Sequence, residues 1–355
     1  FTTNLHLVRE IVESINDEVR FIIGGLATKN LYQMILRWNI SCPVDIVIGE
    51  GDFVVSAIVQ GKPLDIICQD GNKRVITVSA TSPYFPHDIS NIPLDRSFFV
   101  NQPLRHALGF NEVSIVTSRG CMYNCAFCSA ARSLNKETPI RERNAQSVAN
   151  EVKMLCELYP DMHSVRVLDD LFLRNTGSVE RAVCMFEYVP VTWRAMAHVL
   201  SFYKLSDPQL LKLKRSGCME VFIGIESGSP RILKMIHKTS DVDLIKRTIE
   251  RLFRVGINVK GYFIFGFETE KIEDMQMTYD LARQLKESSV KNHTNFRTSV
   301  FQFRPYHGTE LYHDMISKGR IIDEIVYNGD LSTNIGRKQF NFTSGNFSET
   351  SDEDL

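Results

Sequence analysis

Three cysteines lie close together in the 355-residue chain, at a spacing that suits a metal centre. They are Cys121, Cys125 and Cys128, and they follow Gly120 on a predicted loop. Thiolates bind iron strongly, and closely spaced thiolates on one loop can wrap a cuboidal iron–sulfur cluster. Three ligands leave one iron of such a cluster without a protein ligand. That iron can chelate a small molecule, much as an open position defines a catalytic zinc site.

Two other interpretations of the cysteines compete with this one. A structural zinc site needs a fourth ligand, and no His or Cys follows the three thiols at zinc-finger spacing. The other interpretation is that three cysteines on a glycine-containing loop are buried by coincidence. The five cysteines outside the motif fit the role of small, buried apolar side chains. Eight cysteines in a chain of this length are too sparse for a secreted disulfide scaffold, so a reducing, cytoplasmic location is expected.

The overall composition is that of a soluble globular enzyme. Hydrophobic residues make up 43% and charged residues 23% of the chain, and the formal net charge is −1. This balance gives no electrostatic reason to expect nucleic acid as a partner. No uncharged apolar run approaches the roughly eighteen residues of a membrane-spanning helix, so no membrane partner is expected either. The chain begins with Phe1 rather than Met, and we expect it to belong to a longer protein.

Predicted strands and helices alternate along residues 111–315. Six apolar strands with helices between them indicate a partial (β/α)6 barrel, in which the chemistry lies at the C-terminal ends of the strands. The predicted strands are Val113–Thr117, Ser164–Leu168, Thr192–Ala197, Val221–Ile225, Val259–Phe265 and Thr298–Phe303.

Three further zones flank the predicted barrel. Residues 1–60 read as helix, strand, glycine turn, helix and strand, which is half of an open, doubly wound parallel sheet. Residues 61–110 are rich in proline and are predicted to be a linker. Residues 316–355 form a C-terminal extension that ends in the acidic stretch Ser348–Asp354, which we expect to be solvated.

The cysteine motif resembles that of the radical S-adenosylmethionine (SAM) superfamily. Its C-x-x-x-C-x-aromatic-C spacing directly follows the first barrel strand, and Phe127 occupies the aromatic position. The resemblance covers roughly residues 111–315. It implies that Cys121, Cys125 and Cys128 bind a [4Fe–4S] cluster whose open iron chelates SAM. It also implies reductive cleavage of SAM to a 5′-deoxyadenosyl radical, which requires an electron donor such as flavodoxin or ferredoxin.

The same resemblance implies a set of SAM contacts at the strand ends. Gly224–Gly228 is similar to a Gly-Ile-Glu-Ser-Gly signature, and Gly261–Gly266 is similar to a motif that packs the adenine. Asp169 and Asp170 could meet the SAM amino group, with a helix N-cap as the alternative role for either of them. The implied SAM-binding residues are Phe127, Asp169, Asp170, Glu226, Ser227, Gly261 and Gly266.

Substrate contacts are expected at two further strand ends. The third barrel strand carries Arg194 and His198 on a polar face, and a satisfied structural role is the alternative for both. The sixth strand is followed by Arg304, Tyr306 and His307 in a segment that resembles a Pro-x-Pro-Gly-Thr motif of the same branch. These five residues are the candidate contacts for a small-molecule substrate.

The N-terminal zone resembles the second half of a cobalamin-binding domain. The matching positions are Gly24 and Gly25 after one strand, and Gly49 and Glu50 after the next. Glycine turns at strand ends would let cobalamin lie close to the backbone. With cobalamin, the expected reaction is C-methylation of a natural-product-type substrate. A domain that binds nothing would favour dehydration, deoxygenation or rearrangement of a sugar or aminoglycoside. A non-catalytic electron carrier is the alternative of another class.

Overall fold

The computed structural model of the chain describes residues 5–16, 18–92, 95–96, 103–106, 109–321, 346–351, 353 and 355. These residues divide into two units. The first unit comprises the described residues within Phe1–His87, Tyr123–Pro139 and Arg304–Gly345. The second comprises those within Asp88–Met122, Ile140–Phe303 and Asn346–Leu355.

Helices and strands alternate along both units. The helices are α1 (Leu5–Ser14), α2 (Thr28–Leu36), α3 (Val54–Val59), α4 (Ala145–Leu158), α5 (Thr176–Phe186), α6 (Asp207–Arg215), α7 (Pro230–Met235), α8 (Val242–Arg254), α9 (Ile272–Lys291) and α10 (Glu310–Ser317). The strands are β1 (Phe21–Ile23), β2 (Val44–Gly49), β3 (Ile66–Asp70), β4 (Lys73–Val78), β5 (Leu104–Arg105), β6 (Asn111–Ile115), β7 (Ser118–Arg119), β8 (Arg141–Glu142), β9 (Ser164–Val167), β10 (Thr192–Ala197), β11 (Cys218–Glu226), β12 (Asn258–Phe265) and β13 (Phe296–Gln302).

The first unit is built on a four-stranded sheet with the strand order β1-β2-β4-β3. The strands β1, β2 and β4 are parallel, and β3 is antiparallel to β4. Successive residues of β2 point to opposite faces, so Ile46 joins a core with Leu31 of α2, while Val47 joins a core with Val54 of α3. Helices therefore cover both faces of the sheet, as in a doubly wound domain.

One boundary predicted from the sequence is wrong. The predicted linker, 61–110, contains β3 and β4, and β4 is an interior strand of the first unit's sheet. Val75 and Ile76 on β4 are fully buried on opposite faces. The prolines that suggested a linker flank these strands, at Pro63 and Pro83, and so they mark the ends of a hairpin rather than an absence of structure.

The second unit is built on a curled, seven-stranded half-barrel with the order β13-β12-β11-β10-β9-β6-β5. All neighbouring strands are parallel except β5, which is antiparallel to β6. The six predicted strands are all present. Val221, Val259 and Phe263 are buried on the convex face, where Phe263 and the α8 residue Phe253 both contact Phe296. The alternate residues face the concave side, and the strand ends carry the candidate site.

The described part of the acidic C-terminal stretch is not simply solvated, as the sequence suggested. The Glu349 backbone N–H donates to the Glu270 carbonyl at 2.8 Å, and the Phe347 ring lies 6.1 Å from that of Phe303. The apolar residues Phe347 and Leu355 flank the acidic run, and they give it something to bury against the ends of β12 and β13. None of the helices within the described residues is both long and apolar enough to cross a membrane.

Candidate functional site

Two adjacent aspartates hold the chain as it enters the cysteine motif. Asp169, at the end of β9, accepts hydrogen bonds from the Thr117 backbone N–H at 2.6 Å and from the Ser118 hydroxyl at 2.5 Å. Asp170 accepts from the backbone N–H of Gly120 at 2.9 Å. Gly120 has a φ of +90°, which favours glycine. The step into Cys121 is therefore fixed by both carboxylates.

The two aspartates differ in what remains for a ligand. Asp169 is 3% exposed, and both its oxygens bond the segment before the motif. Burial raises the pKa of this carboxyl, and the hydrogen bonds to Ser118 and Thr117 oppose that shift. Asp170 is exposed and uses one oxygen for Gly120. Of the two residues, Asp170 is the one that can still meet a SAM ammonium group.

The second and third cysteines lie in tight turns of the first unit. The Cys128 backbone N–H donates to the Cys125 carbonyl at 3.0 Å, and the Ala126 carbonyl accepts from Leu311 of α10 at 3.1 Å. Phe127, between them, is half-buried. The loop that carries these thiols is thus anchored by its own backbone and by a helix from the far end of the sequence.

The donor set suits the cluster that the motif implies. Cys121, Cys125 and Cys128 are half-buried thiols, not disulfides. Across the described part of the chain, no three His, Cys, Asp or Glu side chains converge as ligands of one metal ion. In a cuboidal cluster each thiolate binds a different iron, so three cysteines supply ligands for three of the four irons.

Glu226 ends β11 in a strained conformation. Its φ is +65°, which non-glycine residues rarely adopt and which costs on the order of 1–3 kcal/mol. Its carboxylate pairs with the ammonium of the half-buried Lys238 at 3.2 Å. A Cβ at Gly224 would overlap the Glu226 carboxylate and lie 3.1 Å from Lys238 Nζ. Gly224 is therefore glycine because the ion pair folds back over it.

The residues that follow Glu226 contact the helix α9. The Ser227 hydroxyl lies 3.1 Å from the Thr278 hydroxyl of α9, and the Ser229 hydroxyl donates to Asp274 at 2.5 Å. A Cβ at Gly228 would overlap the backbone of Met277. Ser227 is fully buried in this contact. This geometry gives Ser227 a packing role, and its contact with SAM stays a prediction. Glu226 is the stronger ligand candidate of this segment.

The two glycines of the predicted adenine motif have internal reasons for being glycine. A Cβ at Gly261 would lie 2.9 Å from the Phe296 ring and 3.0 Å from that of Phe263, on the convex face. Gly266 has a φ of +87°, and its N–H donates to Glu270 at 2.6 Å. Close packing of rings explains Gly261 and a turn explains Gly266. Neither geometry requires an adenine, so both SAM contacts stay predictions.

Arg194 on β10 and His198 directly after it have their partners inside the protein. The guanidinium of Arg194 bonds Glu112 at 2.6 and 2.7 Å and Glu220 at 3.0 Å, and the residue is 1% exposed. The imidazole of His198 accepts from the Leu200 backbone N–H at 3.2 Å. Burial, followed by the charge of Lys238, lowers the pKa of His198 to about 3. These contacts favour the structural alternative for both residues.

The substrate candidates after β13 belong to the first unit. His307 is buried, its Nε2 lies 2.7 Å from the Tyr312 hydroxyl, and burial lowers its pKa to about 3. The Asn30 side chain donates to the His307 carbonyl at 3.4 Å. Arg304 is half-buried, and Tyr306 is 40% exposed. Tyr306 is thus the most accessible of the three, and His307 is used for packing.

The glycines predicted to contact cobalamin differ in the space that surrounds their Cβ positions. Gly25 follows β1 with a φ of +110°, and no atom lies within 4 Å of the position that a Cβ would take. Gly49 follows β2 with a φ of +107°, but there a Cβ would overlap the Val78 carbonyl. Gly24 is in ordinary contact with Val47, and Glu50 is half-buried. Of the three glycines predicted to contact cobalamin, Gly25 is the one that leaves open space for a large ligand.

Sequence reasoning missed Glu270, a fully buried carboxyl in the loop after β12. One oxygen accepts from the Gly266 and Phe267 backbone N–H groups at 2.6 and 3.1 Å, and the other has no partner within the described residues. Burial raises the pKa of Glu270 to about 7 against those two bonds. A polar residue directly after the Gly-Phe-Glu-Thr turn was the only available signal.

Glu270 should make the stability of the protein depend on pH. Its folded pKa of about 7 lies above the reference value of 4.5, so the stability from the protonated form is present below pH 4.5 and is lost as pH rises through 7. Relative to wild type, Glu270→Gln should raise the free energy of unfolding more at pH 8 than at pH 5, by about 1–3 kcal/mol. Urea unfolding followed by circular dichroism measures this, with the exposed Glu273→Gln as the control. An equal effect of Glu270→Gln at both pH values would contradict the assignment.

A recess that the sequence did not indicate lies beside the start of the motif. It is a cavity of about 280 Å³ in the second unit, and its lining includes Val116, Arg119, Arg143 and Leu168. Arg143 is itself tied to Glu151 and to the Ser147 hydroxyl. The cavity therefore has one fixed cationic wall, next to the residue that precedes Gly120.

Comparison with known protein families decides the identity of the second unit. The profile of the radical SAM superfamily matches residues 115–282. The chain contains a radical SAM domain. This domain implies a [4Fe–4S] cluster and SAM, as the cysteine spacing predicted, and confirms the predicted fold class and the assignment as an enzyme.

Other radical SAM proteins resemble this chain over most of its length. An uncharacterized methyltransferase of Pyrococcus horikoshii is 27% identical over 329 residues, which is 89% of this chain and 67% of the relative. The apo structure of OxsB, a cobalamin-dependent SAM radical enzyme, gives a TM-score of 0.63 at 14% identity and covers 96% of this chain. The radical SAM methyltransferase TsrM of Kitasatospora setae, with cobalamin and a [4Fe–4S] cluster bound, gives 0.58 at 16% identity and covers 89%. The chain spans 59% and 61% of these two solved chains.

Proposed function

We propose that this radical SAM enzyme abstracts hydrogen from a small-molecule substrate and carries out cobalamin-dependent C-methylation. The observation that carries the proposal is the three-thiol motif, whose entry at Gly120 is fixed by Asp170 and whose turns are fixed by their own backbone bonds. Three thiolates suit a cluster with one open iron. When bound, the cluster and SAM would supply the 5′-deoxyadenosyl radical, and cobalamin would supply the methyl group.

The residues of the chain have distinct roles in this proposal. Cys121, Cys125 and Cys128 hold the cluster. Asp170 accepts from the SAM ammonium, while Asp169 positions the motif without touching SAM. Glu226, held by Lys238 in its strained conformation, presents a carboxylate oxygen at the end of β11, where ribose hydroxyls can donate to it. Because strain is retained where a function requires the conformation, Glu226 is the strongest SAM contact outside the motif.

Two observations support cobalamin over a cobalamin-independent reaction. The first unit has helices on both faces of a parallel sheet, and Gly25 leaves open space at the end of β1. The solved chains of similar fold include two enzymes described as binding cobalamin. The whole protein would work in the cytoplasm with a reduced donor such as flavodoxin or ferredoxin. Dehydration, deoxygenation or rearrangement takes the place of methylation if cobalamin does not bind.

Gly25→Leu should remove cobalamin without removing iron. A leucine side chain at this position would occupy the open space after β1, and a φ of +110° would strain it. We expect the wild-type protein to bind about one cobalamin per chain, the number for a single doubly wound domain. Visible absorption after gel filtration would measure cobalamin, and a chemical assay would measure iron.

Gly61→Leu is the matched control for this substitution. Gly61 belongs to the same unit, also has a positive φ (+65°), and also has no atom within 4 Å of the position that a Cβ would take. It should keep cobalamin at the wild-type level, which separates ligand loss from backbone strain. Equal cobalamin in Gly25→Leu and wild type would show that the ligand lies elsewhere. No cobalamin in a wild-type protein that still makes 5′-deoxyadenosine would favour the cobalamin-independent reactions.

A further inference from the structure

The concave face of the half-barrel carries a neutral floor of paired charges. Glu112 and Glu220, near the starts of β6 and β11, bond Arg194, and Glu220 also bonds Arg297 at 2.6 and 2.9 Å. Two carboxylates thus balance two guanidinium groups. His106 is stacked on Phe110, and burial, followed by the charge of Arg194, lowers its pKa. This floor closes the N-terminal side of the concave face and requires no ligand.

Two more cations lie beside this floor, at the sheet positions that pair with Arg194 and Arg297. Arg166 on β9 and Lys260 on β12 are half-buried, and neither makes a hydrogen bond or ion pair within the described residues. The Nε of Arg166 is buried and without a partner. Burial, followed by the charge of Arg297, lowers the pKa of Lys260. The charge of Glu220 opposes this shift, and that of Arg166 adds to it. A buried, unpaired guanidinium nitrogen is costly, and a bound anion would compensate it.

Aromatic rings line the space beside these two cations. Arg166 Cζ lies 5.5 Å from the centre of the Phe222 ring, and Lys260 Nζ lies 5.1 Å from that of Tyr262. Tyr262 lies 6.4 Å from Phe222 and 5.8 Å from Phe301. These cation–π contacts leave the N–H donors of both cations available to an oxyanion. The wall is therefore apolar and flat, with positive charge at its base.

We propose that Arg166 and Lys260 bind an anionic group of the substrate, a phosphonate, phosphate or carboxylate attached to an apolar or planar body. The inference rests on the proposed function, because the substrate must enter from the C-terminal strand ends. Arg166 lies three residues before Asp169, which follows β9. At about 3.3 Å per residue, this places Arg166 roughly 10 Å below Asp169. The reacting carbon of the substrate would then lie at the strand ends.

Binding of small aromatic anions tests this site directly. Ligand-observed NMR titration would use phenylphosphonate and benzoate as probes and benzyl alcohol as the uncharged analogue. Both anions should bind wild-type protein more tightly than the alcohol, and added salt should weaken them. Tighter binding of phenylphosphonate would assign a phosphonate or phosphate group, and tighter binding of benzoate would assign a carboxylate. Either result supports the site. Equal binding of the alcohol and both anions would overturn it.

Variants show whether the two cations cause the binding. Arg166→Gln and Lys260→Gln should each weaken the anions about tenfold or more, because a charge-assisted contact is lost. Arg166→Lys keeps the charge and should recover most of the affinity. Arg283→Gln, on the exposed side of α9, should change nothing. Unchanged anion affinity in folded Arg166→Gln and Lys260→Gln would overturn the assignment.

The same samples separate this inference from the proposed function. Wild type and the control Arg283→Gln are also incubated with SAM and dithionite without substrate, and both should form 5′-deoxyadenosine. Anion binding without any SAM cleavage in wild type would refute the radical reaction and leave the anion site standing. SAM cleavage without anion binding would refute the anion site and leave the radical reaction standing.

Discussion

Replacing Cys125 by alanine is expected to abolish 5′-deoxyadenosine formation. Cys125 is one of three thiols that the motif provides for three irons, and its carbonyl anchors the turn that carries Cys128. Because no fourth cysteine follows in the motif, nothing can replace the lost ligand. Anaerobic reconstitution, an iron assay and chromatography of the nucleoside products measure the effect. The iron content should fall together with the product.

Cys184→Ala is the matched control for this experiment. Cys184 is an exposed thiol in the second unit, on α5, outside the motif. The variant should retain the cluster spectrum and form 5′-deoxyadenosine at the wild-type rate. If Cys125→Ala kept both its iron and its turnover, the three-thiol assignment would be wrong. If Cys184→Ala lost them, the thiols outside the motif would have to be reconsidered as ligands.

Glu226→Ala is expected to weaken SAM binding roughly 10- to 100-fold while leaving the cluster spectrum intact. Hydrogen bonds to charged groups contribute about 1.5–3 kcal/mol, and about 1.4 kcal/mol corresponds to tenfold in affinity. Lys238→Met should act in the same direction, because Glu226 loses the ammonium that holds its carboxylate. Equilibrium dialysis with labelled SAM measures the dissociation constant.

Other carboxylates provide the comparison for Glu226. The exposed Glu287 on α9, paired with Arg283, should be dispensable, so Glu287→Ala should bind SAM as wild type does. Asp170→Asn should weaken SAM binding, whereas Asp169→Asn should disturb the cluster, since Asp169 bonds the segment before the motif. If a triple variant with Glu226→Ala, Asp169→Asn and Asp170→Asn bound SAM with wild-type affinity, all three residues would be ruled out as SAM contacts.

The strands could be predicted from the sequence because each one carries its own apolar signal. All six barrel strands are found close to the predicted residues, and Thr192–Ala197 has identical bounds. The hairpin of β3 and β4 was missed because its short strands lie between prolines, and Ile66 and Ile67 of β3 are exposed. The prolines there gave a stronger local signal than the periodicity of the short strands. The structure is decided instead by the pairing of β4 with β2, which is distant in sequence.

Single residues of the site were harder to assign than the strands. A glycine in a sequence indicates that a side chain is excluded, but not which group excludes it. The excluding groups are Phe296 at Gly261 and the α9 backbone at Gly228, and both are distant in sequence. Arg194 presents the same difficulty, because its partner Glu112 lies 82 residues away. Glu226 could be predicted as a candidate because its motif carries a charge at a strand end.

The most direct test of the central claim is anaerobic incubation of the reconstituted protein with SAM and dithionite. A radical SAM enzyme built on Cys121, Cys125 and Cys128 should bind four irons per chain, as one [4Fe–4S] cluster requires, and should convert SAM to methionine and 5′-deoxyadenosine. A protein that holds the reduced cluster but forms no 5′-deoxyadenosine, with or without cobalamin, would be an electron carrier and would contradict the account.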